Sequence, residues 1–74
     1  MTALETDILN GLIELDWAVN AMASANPKPD LRPLFARLDD LARQLPKGSD
    51  PDLVHYLHKK SYQKARLLLE QRGA

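Results

Sequence analysis

The chain has 74 residues, ten basic and ten acidic side chains, a formal net charge of zero and no cysteine. A domain this small buries only about 60% of the surface its unfolded chain exposes, and without cysteine neither disulfides nor thiolate-bound metals supplement its core. Balanced charge argues against nonspecific nucleic-acid binding, and no apolar run approaches the ~20 residues of a membrane span.

The N-terminal segment Met1 to Asp7 is acidic, whereas a secretory signal starts basic. A cytoplasmic setting is therefore expected, with no membrane partner. The charges are unevenly placed. Up to Asn26 the charged residues are Glu5, Asp7, Glu14 and Asp16, whereas from Pro51 onward Lys59, Lys60, Lys64, Arg66 and Arg72 face only Asp52 and Glu70. The simplest reading is attraction between neighbouring helices, and the sharper one is a charged surface for a partner.

The first helix is predicted over about 3–25. Thr2 and Glu5 have capping-box spacing, and Leu4, Ile8, Leu12, Leu15, Val19 and Met22 define a buried face. Leu9, Ile13 and Trp17 form a second line beside it, with Trp17 furthest round and at the edge. Asp16 falls within this broad arc and needs a polar partner if buried. Gly11 is unusual, because a mid-helix glycine costs about 1 kcal/mol relative to alanine. Close approach of another helix would explain it.

The loop Asn26-Pro27-Lys28-Pro29-Asp30 ends this helix. The second is predicted over about 31–45, capped by Asp30, with a leucine seam at Leu31, Leu34, Leu38, Leu41 and Leu45. Its far side carries Arg32, Arg37, Asp39, Asp40 and Arg43, an ordinary solvated face. Pro46 stops it and Gly48 permits the turn.

Asp50 and Pro51 open a third helix, predicted to run unbroken over about 51–72. Its inward line reads Val54, Leu57, Ser61, Ala65 and Leu68, flanked by Leu53 and Leu69. The expected fold is thus all-α, a single three-helix bundle spanning 1–74, running up-down-up with two short proline-containing loops.

Chemistry is sparse. The sequence has no glycine-flanked serine elbow and no glycine-rich phosphate loop, and neither a catalytic residue nor a cofactor is expected. His55 and His58 are three apart on a helix, but zinc takes three or four protein ligands and no others stand nearby, so no metal is expected. His58 is instead expected to border the core and contact a group of the first helix such as Asp16 or Asn20, a proton-sensitive buried polar contact. On an unbroken third helix, His55, Lys59, Tyr62 and Arg66 form a basic strip with an interleaved aromatic, a candidate nucleic-acid surface. Tyr56, Lys60 and Leu67 form a strip on the other flank, a candidate contact for a protein partner or a second copy in a weak homodimer. A helix-turn-helix formed by the second and third helices fits poorly, because the turn is long and acidic residues open the third helix.

The sequence therefore points to a non-catalytic helical module for protein interaction or regulation, not an enzyme. The alternative is a small nucleic-acid-binding or regulatory protein using the basic side of the third helix.

Overall fold

Thr2 caps the first helix, α1 (Ala3–Met22), through the expected reciprocal pair. Its hydroxyl accepts the Glu5 N–H at 3.1 Å, while its own N–H donates to the Glu5 carboxylate at 3.0 Å. The structure, a computed structural model, describes residues 2–24 and 30–73. The predicted end of α1 at Ala25 and the prolines of the first loop lie outside them.

Asp30 accepts the Arg32 N–H at 3.0 Å just before α2 (Arg32–Arg43), and Pro33 occupies the first turn. Asp50 accepts the Asp52 N–H at 2.9 Å and starts α3 (Pro51–His58), whose first residue is proline. Gly48 takes φ +94°, the left-handed turn expected of it.

The predicted third helix is two helices, so the described residues form a four-helix, all-α arrangement, not a three-helix bundle. The chain breaks after α3 and resumes as α4 (Tyr62–Gly73). Lys60 sits at φ +59°; the Ser61 N–H reaches back to the Tyr56 carbonyl at 2.8 Å and the Lys60 N–H to that of Leu57 at 3.2 Å. This is the Schellman arrangement, usually built on glycine. Its physical reason lies in the leucine spacing. Leu53 and Leu69 are both fully buried, yet on one straight helix they would point about 160° apart. Folding back at Lys59–Ser61 lets both reach the core.

The same break re-aims the inward face. Leu53, Leu57, Ala65 and Leu69 are buried, whereas Val54 is 43% exposed. Ser61 leaves the predicted line to occupy the turn ahead of α4.

Helix α1 packs on α2 and α4, and α3 packs on α2 and α4, giving an up-down-up-down order. Ion pairs mark the directions. Arg72 near the end of α4 meets Glu5 at the start of α1, and Arg66 meets Asp16, so α1 and α4 are antiparallel. Arg72 also reaches Asp50 at the start of α3, which makes α3 and α4 an antiparallel hairpin. Ile8, Leu12, Leu15, Leu38, Leu53, Leu57, Ala65 and Leu69 form the core. Gly11 is buried, and a Cβ there would lie 3.0 Å from Cδ2 of Leu38. Its bareness is what lets α2 come this close to α1.

Candidate functional site

The helices differ in length, and that difference opens a groove. At 1.5 Å per residue α1 is about 30 Å long, whereas α2 and α4 are about 18 Å each. Val19 shares a helical face with Leu12 and Leu15, but it stays 48% exposed because its part of α1 is only partly covered. The result is an open groove of about 610 Å³ between α1, α2 and α4. Leu12, Leu15, Val19, Phe35, Tyr62 and Leu67 supply its apolar lining, and Asp16, Lys60, Arg66 and Glu70 add charge.

Phe35 and Tyr62 stack across the bundle, with ring centroids 5.9 Å apart and planes at 25°. This contact fixes the start of α4 over α2. It also draws the Tyr62 hydroxyl out of solvent, where it has no hydrogen-bond partner among the described residues. An unpaired buried hydroxyl costs about 1–3 kcal/mol.

Arg66 crosses the groove's side. Its guanidinium donates to Glu70 at 2.6 Å and to Asp16 at 3.0 Å, and these carboxylates, Glu70 foremost, hold it above its ordinary protonation range. Asp16 also accepts a long 3.5 Å bond from the Asn20 amide. At the far end of the bundle Glu5 is buried and its pKa is lowered. The Thr2 N–H is the main cause; burial opposes it, and the Thr2 hydroxyl and the Arg72 charge reinforce it.

The break in the third helix splits the sequence-predicted strips, although Lys60 and Leu67 of one and Tyr62 and Arg66 of the other all line the groove. Asp16 pairs with Arg66, while His58 is exposed beside Asp39, Ala42 and Arg43, so the expected Asp16–His58 contact does not form. In the basic strip, His55 and Lys59 are exposed, but Tyr62 turns inward onto Phe35 and Arg66 is held by two carboxylates. Tyr56 is half-buried on α3 with its ring 6.0 Å from that of His55, whereas Leu67 is 58% exposed on α4. Lys60 lies in the turn between them, 3.8 Å from Asp39. The Tyr56–Lys60–Leu67 strip is therefore not one helical face. Among the described residues no three His, Cys, Asp or Glu side chains gather as metal ligands, and no helix is long and apolar enough to cross a membrane.

Two features went unread in the sequence. The groove depends on helix lengths, which the unbroken third helix concealed. A seam on the outward side of α1 was hidden because it is largely polar, and a search for apolar periodicity passes over it. Comparison of the chain with models of protein families, with curated proteins and with solved structures finds no match.

Proposed function

We infer that this protein is a non-catalytic helical interaction module whose groove between α1, α2 and α4 receives an apolar side chain of a protein partner. The observation that carries this reading is the groove itself, about 610 Å³ and largely apolar, with the Val19 side chain in it left 48% exposed. A partner side chain that fills the groove takes this apolar surface out of water. Lys60 supports the same reading. It holds a left-handed conformation that glycine adopts without strain, and it lines the groove with an ammonium group. Strained residues concentrate where a site needs them.

Affinity capture from the source cell with the wild type and a Val19→Lys variant tests this. Val19 is 48% exposed, so the variant keeps its fold, which a melting curve checks. The expected result is a captured protein that the variant loses and a Lys47→Glu control retains. Identical capture by all three would sink the proposal.

A second reading has one observation in its favour. Lys59 and Lys64 flank the α3–α4 turn, are exposed, and make no ion pair among the described residues. With Lys60, which also meets Asp39 at 3.8 Å, they put three lysines within six residues around the turn, a charge suited to phosphate. Titration with labelled DNA and RNA decides this. Binding that weakens steeply with salt supports it, and none at low salt removes it.

A further inference from the structure

The outward side of α1 carries no charge. Thr6, Asn10, Ile13, Trp17 and Asn20 recur at alternating steps of four and three, the spacing of a seam along which two helices pair. All are exposed except Ile13, which is half-buried, and Trp17 is 75% exposed. The acidic residues of α1 avoid this line. Glu5 and Asp16 turn toward Arg72 and Arg66 of α4, Glu14 turns toward Arg37 of α2, and Asp7 falls on the flank. The outward side of α2 is the opposite case, with Arg32, Arg37, Asp39, Asp40 and Arg43 all exposed.

Single exposed apolar residues are normal on a surface. An exposed tryptophan centred on a stripe without charge is different, because depletion of charge around an aromatic is the composition of an interface centre. We propose that α1 pairs through this seam with α1 of a second copy, forming a weak two-fold homodimer.

The seam's chemistry selects a second copy as the occupant. A two-fold contact sets residues near the axis against their own counterparts, so any charge there meets its like. An uncharged seam avoids that repulsion. The zero formal net charge also removes long-range repulsion between copies. Asn10 and Asn20 carry amides that both donate and accept, so each can bond an asparagine or threonine across the seam and fix the register. Steric bulk is confined to Ile13 and Trp17, with smaller side chains at either end. At about 21 Å long, a single helix pair lies at the small end of specific interfaces, which sets the association as weak.

Ile13 and Trp17 lie on the other side of the helix from Leu12, Leu15 and Val19 of the groove, and the two surfaces meet only where Asn20 donates to Asp16. The two proposals therefore fail independently.

Sedimentation equilibrium over a concentration series, up to millimolar protein, tests the dimer. The wild type should reach the dimer mass, and Trp17→Glu should weaken association by at least about tenfold. Ile13→Glu and Ile13→Lys should each run as monomers, because like charges then meet near the axis, and an equimolar mixture should recover a dimer. Melting curves check that the variants fold; Trp17→Glu decides the matter alone if the Ile13 variants do not. A wild type that stays monomeric throughout, or a dimer that survives Trp17→Glu, overturns the proposal. A mixture that stays monomeric when both folded Ile13 variants are monomers overturns the two-fold arrangement.

Discussion

Helix α1 and the α3–α4 hairpin span similar lengths of chain, yet one is a single helix and the other folds back on itself. In α1 the local signals agree with the fold. Thr2 and Glu5 cap the start, and Ile8, Leu12 and Leu15 stay on one face. In α3–α4 the buried residues Leu53, Leu57, Ala65 and Leu69 are spaced by four or eight. That spacing drifts around a straight helix by about 40° per step of four. Burial of all four requires a break, and Lys60 adopts the left-handed conformation that makes it. Helix continuity is thus decided by whether the buried residues stay on one face, even where no proline or glycine intervenes.

The largest effect separates the two readings of the hairpin. Leu53→Ala and Leu69→Ala remove side chains that are fully buried, and each should cost about 2–5 kcal/mol, enough to unfold much of so small a protein. Val54→Ala, at a position 43% exposed, should cost under about 1 kcal/mol. Chemical denaturation of the three variants checks this. Were the hairpin one straight helix with the predicted inward line, Val54 would be the costly position.

The next effect concerns α1 itself. Gly11→Val places a branched side chain where even a Cβ lies 3.0 Å from Leu38, and should destabilise by about 1–3 kcal/mol through overpacking. Gly11→Ala is the gentler case, because the helix-propensity gain of about 1 kcal/mol opposes the crowding. A melting temperature for Gly11→Val equal to that of the wild type would mean α2 does not approach α1 here.

How much of this was legible follows from the same contrast. The caps at Thr2 and Asp50 are local hydrogen-bond patterns, and the sequence states them directly; the expected cap Asp30 lies one residue ahead of the N-cap of α2, Leu31, and accepts the Arg32 N–H from there. The burial of Leu12, Leu38 and Leu57 follows from spacing within single helices. What escaped was the turn at Lys59–Ser61, because a Schellman turn built on lysine carries no sequence mark. Every surface strip drawn across it is then split: Tyr56 and Leu67 belong to different helices, and Tyr62 faces inward, while Lys60, Tyr62, Arg66 and Leu67 meet along the groove. The Asp16–His58 contact failed for a related reason, since Arg66 on the separate α4 reaches Asp16 first.

Lys60 offers a direct handle on that turn. A non-glycine residue at left-handed φ costs about 1–2 kcal/mol, part of which glycine returns through greater freedom in the unfolded chain. Lys60→Gly should therefore stabilise the protein by up to about 1 kcal/mol, measured by denaturant midpoint. The same substitution removes the groove's lysine ammonium, so a partner bound there should bind less tightly even as the fold gains. A loss of stability would mean that the Lys60–Asp39 contact outweighs the strain.

The smallest effect sits where the two regions meet. Arg72 of α4 contacts Glu5 of α1 at 2.9 Å and Asp50 ahead of α3 at 3.2 Å, joining three helix ends. Glu5 titrates below its ordinary value of 4.5, chiefly because the Thr2 N–H bonds its charged form. The folded pKa is depressed, so Glu5 contributes stability that is fully present above the unfolded value. That contribution is lost as pH falls through the lower folded value. Glu5→Gln abolishes the titration and the charge toward Arg72 while keeping an acceptor for Thr2. The variant should be less stable than the wild type at neutral pH, and the gap should narrow as acid protonates Glu5. Denaturation midpoints measured from neutral pH to well below the ordinary carboxylate range check this. A gap that stays constant with pH would mean the helix ends are held by the cap alone, with no contribution from the Glu5 charge.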